Sequence, residues 1–538
     1  MSAMPEVLRH MKGWGFTKME PQPSSGWLAM AGELVTATQG TVQCEVWLDP
    51  SFERPLQLWL TGLPKALPRV VPHLSPDGYL CYSAPGTEVI DIFDPVGQTR
   101  TSLLQAIEVI EQLLAGKMKE DLQEEFFVYW YGDYCFHDIE RRESGLVELL
   151  QLSDNAMYLL TDDVERSRAK FARPGRAITG ITSKVAMITS SAAPRPLQDN
   201  WPPKTLGEIL GWQHELDDAC RRKIRDRVTA AYREGTRALM IVIEPEQTRY
   251  SYGFIVHDLQ RNRLPAHRAI DQRLPIFDCP IKPLQMLRLD DRYLAERNIP
   301  GQITFAGKRI GLIGCGTIGG FVAEMLIKAG AGIGGGELSL IDNDFLMPQN
   351  LGRHRLGFNY LFRPKSDALA EELKIIMPSA RVRSFNNDAK DINLADLDLI
   401  IDATGEESFG HWLAKSTSCP TLHVWIEGAG VAVRSLIKHR AEQGCYRCVT
   451  ESNKQGELLS VVGGVQPIFA GQGCEGLYVP FPASVSIQAA ALALDSALAW
   501  LAGKPWPSLS TRLTDHSYEP ATLDCSPLPH IGCPICRT

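Results

Sequence analysis

Three things are missing from this sequence: a long apolar run free of polar residues, an excess of basic charge, and a dense cysteine framework. The most apolar stretch, Ala483 to Gly503, carries Gln488, Asp495 and several serines. A charge inside lipid costs several kcal/mol, so the stretch reads as a buried helix and no membrane partner is expected. Lys and Arg total 55 against 63 Asp and Glu, a net charge of -8. That balance gives no general footprint for nucleic acid, and none is expected as a direct partner. The opening residues MSAMPEVLRHMKGW lack the basic-then-apolar build of a secretory signal. No repeat at a solenoid period and no long low-complexity tract is visible. Thirteen cysteines, an odd number spread over 538 residues, fit reduced thiols in a cytoplasm better than a disulfide scaffold. Some are then expected to be metal ligands or nucleophiles.

What is present points to an α/β protein of several domains, since 538 residues exceed what one core supports. Residues 1–132 alternate short β-type runs (GWLAMAGELVT, TVQCEVWLD, PLQLWLTGLP) with turns. A helix is expected over Pro5 to Lys12. Another is expected after Thr101, capped by Thr101 or Ser102, with Leu103, Leu104, Ile107, Ile110 and Leu114 on one face. This is a small α+β unit. Residues 133–290 hold a charged helix around LGEILGWQHELDDACRRKIRDRVTAAYREG and the strand-like ALMIVIE. They carry no motif with a chemistry and read as a linker domain. From 291 to 538, the runs RIGLIG, ELSLID, DLDLIIDAT and TLHVWIEG alternate with helical segments, the rhythm of a mostly parallel, Rossmann-like sheet.

After RIGLIG comes GCGTIGG, which places Gly314, Gly316 and Gly319 in a GxGxxG pattern. Such glycines let the backbone approach phosphates at a helix N-terminus. Asp342 closes the next strand, near the spacing of a ribose-binding carboxylate. Alone, the pattern fits an NAD-dependent dehydrogenase equally well. Behind it stand Asn350 and Arg353 in NLGRH, Lys365, and Asp402 in DAT. Joining a carboxylate to the α-phosphate of ATP gathers negative charge. Asn350, Arg353 and Lys365 can supply donors to it, and Asp402 an oxygen for Mg2+. Taken singly, Arg353 and Lys365 also read as surface charges, and Asp402 as a strand cap.

The ordered set GxGxxG, Asp, NLxRH, Lys, DAT resembles the ThiF-type superfamily of ubiquitin-activating enzymes and bacterial adenylyltransferases of thiamine and molybdopterin synthesis. The resemblance implies that Asp342 binds ribose, that Asn350, Arg353 and Lys365 bind phosphate, and that Asp402 binds magnesium. It also implies a homodimer through the adenylation domain, with Arg292 or Arg297 reaching across it.

Cys445–Cys448 and Cys533–Cys536 form two CxxC hooks. Four thiolates suit a structural Zn2+, as in the related adenylyltransferases. Either hook alone also suits a redox dithiol. Cys474, in GQGCEGLYVPF, sits among loop glycines that suit an exposed nucleophile. Its GC…PF segment resembles the thioester loop of bacterial activating enzymes. Cys81, in PHLSPDGYLCY, resembles the ubiquitin-conjugating signature. His73, Gly78, Leu80 and Cys81 match, while Leu74 and Ser75 stand where that signature has Pro-Asn, and the His-to-Cys spacing is shorter. The segment DLQEEFFVYWYG resembles one seen in bacterial conjugating-type domains.

The composite resembles bacterial fusions of conjugating-like and activating-like domains found in antiphage systems of the cyclic-oligonucleotide type (CBASS) and in related ubiquitin-like operons. The implied activity is ATP-dependent adenylation of the C-terminus of a ubiquitin-like protein or of a CD-NTase-type immune enzyme. Thioester formation on Cys474, transfer to Cys81 and conjugation to a protein target amine would follow. The alternative is a sulfur-carrier adenylyltransferase that stops at the adenylate, which would leave Cys81 idle.

Overall fold

The computed structural model describes all residues except 1–2, 21, 24, 38–39, 63–69, 76, 84–89, 119–120, 141–146, 153–156, 173–176, 181–183, 198–200, 249, 261–275, 467, 472–477 and 537–538. Contacts divide the chain into two units. The first holds residues 1–136, 149–159 and 179–287, and the second 137–148, 160–178 and 288–538.

In the first unit the β-type runs become an antiparallel meander of Thr17–Lys18, Leu28–Thr36, Gly40–Leu48 and Gln57–Leu60. Alternation decides its buried face: Val42, Cys44, Val46 and Leu48 point inward, Thr41 and Gln43 outward. Helices Met4–Gly13 and Pro95–Leu114 close this core, contributing Val7, Met11, Leu103, Ala106, Ile110 and Leu113. The second helix begins earlier than the sequence suggested. Asp94 is its N-cap, accepting from Gly97 N at 2.9 Å, and Pro95 opens the first turn. The buried stripe runs through Leu103, Ala106, Ile110 and Leu113, so Leu104, expected on the inner face, is exposed.

A second sheet in this unit includes Lys184–Ser190, Leu239–Pro245, Tyr252–Val256 and Ile281–Arg288, the first pair parallel and the rest antiparallel. The charged helix of the linker region is two helices, Leu206–Leu216 and Asp218–Arg233. Asp217 breaks it because its carboxylate caps the second helix, accepting from Ala219 N and Cys220 N at 3.0 Å. Within the same unit, Phe126 and Trp130 of DLQEEFFVYWYG stack on Trp212 and meet Tyr252 edge-on, at centroid distances of 5.2–5.9 Å. Aromatic packing of this short segment is therefore real, and it anchors the residues between the two rings.

The second unit has a seven-stranded sheet in the order Val382–Phe385, Glu337–Ile341, Arg309–Ile313, Leu399–Asp402, Thr421–Glu427, Ala432–Lys438, Leu509–Leu513. The first five strands are parallel and the last two antiparallel. From Arg309–Ile313 the chain crosses first to one side and then to the other. That makes a topological switch point, whose carboxyl edge is where such sheets hold ligands. Helix Ala483–Leu501, apolar enough for a membrane span by composition, buries Val485, Ala489, Ala493 and Ala497 in this sheet's core. Residues 137–148 and 160–178 join this unit partly through Lys170, whose Nζ lies 2.7 Å from both Asp138 and Asp291.

Candidate functional site

At the switch point, Gly314 has φ +86°, and a Cβ there would lie 2.9 Å from Thr404 N. A Cβ on Gly319 would sit 1.8 Å from Gly314 O, so this glycine lets the helix Gly319–Lys328 close on the strand. Gly316 differs: a Cβ there meets nothing within 4 Å. It faces a cavity of about 350 Å³ lined by Gly314, Asp342, Asp344, Lys365, Asn387 and Thr404, among others. A second cavity of about 510 Å³ shares Gly316, Ala403 and Thr404 with the first and adds Arg353, Glu427, Gly428 and Phe481.

Asp342 is half-buried, with Oδ2 accepting from Cys315 N at 2.7 Å and Oδ1 from Asp344 N at 2.8 Å. Loss of water raises its pKa above the usual carboxylate value, and the two N–H donors oppose that rise. Lys365 is 8% exposed and its Nζ pairs with Asp344 Oδ2 at 2.8 Å. A buried ammonium beside a cavity is poised for an anion that displaces its solvated partner. Arg353 donates from Nη1 to Val479 O at 2.8 Å and lies 4.1 Å over the Phe481 ring. Burial lowers its pKa.

Two predicted residues are not among those lining either cavity. Asn350 accepts from Met347 N at 2.9 Å, closing its own turn. Asp402 is 4% exposed, with Oδ2 on His423 Nδ1 at 2.8 Å and Oδ1 on the Thr404 hydroxyl at 2.7 Å. Its neighbours Ala403 and Thr404, not Asp402, line the cavity. The structure thus gathers Gly314, Gly316, Asp342 and Lys365 at one cavity and Arg353 at the next. The sequence reading passed over Asp344, Thr404 and Glu427. Asp344 was the most findable, being the second acid of IDND.

Cys445 Sγ lies 3.8 Å from Cys448 and 3.7 Å from Cys533, and Cys448 lies 3.8 Å from Cys536. Four sulfurs about 2.3 Å from a zinc ion define a tetrahedron with edges of about 3.8 Å. The three edges given match that length, and all four sulfurs lie within 4.8 Å of one another. His530 N donates to Cys448 Sγ at 3.3 Å, and Lys438 Nζ approaches Cys536 Sγ at 3.5 Å, the outer donors that thiolate ligands attract.

Cys474 lies outside the described residues. Ala470 and Tyr478 on either side exchange backbone hydrogen bonds of 2.8 and 2.9 Å. Val479 and Phe481, just beyond, are the partners of Arg353.

In the first unit, Cys81 is half-exposed, and its N–H donates to His73 O at 2.8 Å. The turn before it is closed by Ser75, whose hydroxyl oxygen accepts from Tyr79 N at 2.9 Å. The residue standing where the conjugating signature has asparagine is therefore engaged in the turn. Gly78 has φ +89°, and a Cβ there would lie 2.6 Å from Leu60 O. His73 takes a left-handed φ of 61°, which costs energy unless neighbours hold it. Glu125 does so, accepting from His73 N at 2.8 Å and meeting Nδ1 at 2.8 Å, while Asp121 meets Nε2 at 3.2 Å. Tyr129 donates towards Val71 O and Leu74 O at 2.9 and 2.8 Å. The Glu125 hydrogen bond raises the His73 pKa. Burial, then the Glu125 charge, raises that of Cys81. Glu125 and Tyr129 come from the segment whose Phe126 and Trp130 are held by aromatic stacking. In the sequence this segment stood out only by its resemblance to bacterial conjugating-type domains, and its contacts around His73 were missed.

Residues 292–528 match the ThiF family, and residues 24–133 match the Prokaryotic E2 family B. The chain is 44% identical, over 100% of its length and 99% of the relative's, to the ATP-dependent ubiquitin transferase-like protein Cap2 of Pseudomonas aeruginosa (strain BWHPSA011 / Pa011). It is 25% identical to the Escherichia coli (strain TW11681) protein of the same description, over 91% of this chain and 90% of that one. The molybdopterin-synthase adenylyltransferase of Salmonella typhimurium is 27% identical over 34% of this chain and 74% of its own. Among solved structures, Escherichia coli MccB with ATP is similar at 17% identity and a TM-score of 0.31, over 43% of this chain and 66% of that one.

Proposed function

The chain belongs to the family of ATP-dependent ubiquitin transferase-like Cap2 proteins, and from this premise we propose how its residues divide the labour. Its activity is ATP-dependent activation of a protein C-terminus followed by transfer, with an adenylation domain of the ThiF family. The match of residues 24–133 to a conjugating-enzyme family favours this over a sulfur-carrier adenylyltransferase that stops at the adenylate. We divide the chain into a conjugating-like part (1–132), a linker (133–290) and an activating part (291–538).

The observation that carries the reading is the joined pair of cavities. One holds a buried lysine, a half-buried carboxylate and glycine backbone, and the other, which shares Gly316, Ala403 and Thr404 with it, is lined by Arg353. ATP fits the first: Asp342 takes the ribose, and Gly316 backbone and Lys365 take phosphate. The acyl tail enters through the second. Its carboxylate attacks the α-phosphorus, pyrophosphate leaves, and Arg353 and Lys365 offset the charge that builds up. Asn350 supports the phosphate side by fixing the turn before Arg353. Mg2+ would supply charge neutralisation at the phosphates, and Asp402, through the oxygen now held by the Thr404 hydroxyl, would be its protein ligand. Cys445, Cys448, Cys533 and Cys536 would hold Zn2+, which would tie the two hooks together and supply no step of the chemistry.

The Cys474 thiolate then attacks the acyl adenylate, expelling AMP and leaving a thioester. Cys81 takes the acyl group by thiol exchange, nearly isoenergetic, so tethering chiefly raises effective concentration. A neutral target amine finally displaces Cys81, forming an amide; the proton the nitrogen loses passes to the departing sulfur, which leaves as the thiol. The modifier is a ubiquitin-like protein or a CD-NTase-type C-terminus, the setting is cytoplasmic antiphage defence, and the protein works as a homodimer. Arg297 is the better residue to reach across that dimer. Arg292 is engaged by Glu296 at 2.7 Å, whereas Arg297 is exposed with no ion pair among the described residues.

Pyrophosphate exchange and non-reducing gels test the scheme with a candidate modifier. Cys474→Ala should keep exchange and form no thioester. Cys81→Ala should still load Cys474. Normal loading of Cys474→Ala would overturn the relay order.

A further inference from the structure

His354 ends the NLGRH segment and is 7% exposed. Both ring nitrogens are in use. Leu356 N–H donates to Nδ1 at 3.0 Å, and Nε2 lies 2.9 Å from Cys315 O. A backbone N–H only donates and a carbonyl only accepts, so the tautomer is fixed: a neutral ring with its proton on Nε2. Burial pushes the ring's pKa down to about 4, so that tautomer persists across the working range of pH.

The partner carbonyl belongs to the residue between the first two glycines. Cys315 is held from both sides, its N–H by Asp342 at 2.7 Å and its C=O by His354. The Cys315–Gly316 peptide is trans, and a trans unit points its C=O and N–H in opposite directions. Turning the carbonyl towards buried His354 therefore turns Gly316 N–H away from it. Gly316 lines both cavities, and its N–H has no hydrogen-bond partner among the described residues.

We propose that His354 is a positioning residue for the nucleotide: by gripping the Cys315 carbonyl it aims Gly316 N–H at a phosphate oxygen in the cavity. The proposal rests on the adenylation reading. It also explains why a histidine, and not merely a filler, closes the segment behind Arg353.

Two amides separate this role from packing. Asn places its amide near Nδ1 and can still accept from Leu356 N–H. Gln reaches towards Nε2 and can still donate to Cys315 O. The measurements are calorimetric binding of a non-hydrolysable ATP analogue to the full chain, KM and kcat for pyrophosphate exchange, and thermal melting. His354→Ala and His354→Asn should weaken analogue binding and raise KM for ATP about tenfold, with kcat little changed, the effect of one lost hydrogen bond. His354→Gln should stay within about threefold of wild type. If Asn restores binding and Gln does not, or if all three bind as wild type, the proposal is overturned. Should the Ala variant fail to fold, the Asn–Gln comparison decides alone. A wild type that neither binds the analogue nor exchanges pyrophosphate overturns the adenylation reading, and this proposal with it. Wild-type exchange with an unaffected Ala variant overturns this proposal only.

Discussion

Adding one methyl group to each of two glycines in the same turn should produce opposite failures. At Gly319 the new Cβ would sit 1.8 Å from Gly314 O, a backbone atom that cannot swing aside. Carbon and oxygen need about 3.2 Å or more, so the helix must back off the strand by more than an ångström. Overpacking of this kind costs about 3 kcal/mol. In a domain of some 150–250 residues that lowers Tm by about 6–12 °C. At Gly316 the Cβ meets nothing within 4 Å and the backbone is not left-handed. Gly316→Ala should therefore melt within about 2 °C of wild type, the backbone being free of strain. Its methyl enters the cavity where phosphate is proposed to approach the chain, and ATP binding should fall at least about tenfold, or 1.4 kcal/mol. Thermal melting and calorimetric titration with a non-hydrolysable ATP analogue read the two effects separately. A Gly316→Ala protein that binds the analogue normally refutes the placement of phosphate against this turn. A Gly319→Ala protein as stable as wild type refutes the packing argument.

Glu125→Gln tests the charge network at His73. The His73 pKa is raised, chiefly by its hydrogen bond to Glu125, so folded His73 holds its proton more tightly than the unfolded chain does. That stabilisation is complete below the unfolded value of about 6.5 and fades as pH rises through the higher folded value. The Gln variant should accordingly lose most stability at acid pH and progressively less as pH climbs, which melts recorded across pH will show. The same variant should let iodoacetamide alkylate Cys81 faster near neutral pH, because the Glu125 charge helps hold the thiol protonated; an unchanged rate counts against that coupling. Tyr129→Phe removes a hydroxyl lying 2.9 and 2.8 Å from two carbonyls, at a cost of about 1–3 kcal/mol measurable by denaturant unfolding. Metal analysis should find one zinc per chain, lost in Cys533→Ser along with resistance of the C-terminal residues to protease; full zinc content in that variant rejects the four-cysteine site.

What could be read from the sequence was whatever chemistry forces into adjacent positions. Gly314, Gly316 and Gly319 are spaced by the geometry of one turn, and the CxxC hooks by the reach of two thiolates to one ion. The three strand runs before Cys81 announced themselves by alternation. The helix start was missed because Asp94–Pro95 caps it before the apolar periodicity begins. Contacts over long separations were invisible. Glu125 reaches His73 from 52 residues away, and His423 occupies Asp402 from 21 residues on. The spacing of DAT gave no hint that both oxygens of its aspartate are already satisfied.

These hidden partners share a logic. At each proposed reaction centre, part of what would meet substrate is a backbone group or a small side chain, and a second residue from a distant segment fixes its direction. His354 does this for the Cys315 carbonyl, and Glu125 with Tyr129 for the turn that presents Cys81. A polar group buried for such a purpose costs free energy unless every donor and acceptor finds a partner. His354 uses both nitrogens, and Glu125 accepts from a backbone N–H as well as the His73 ring. Substitutions at these positioning residues should therefore disturb stability as well as geometry. Where a residue has two bonds, variants that keep one and lose the other will say which bond the chemistry needs.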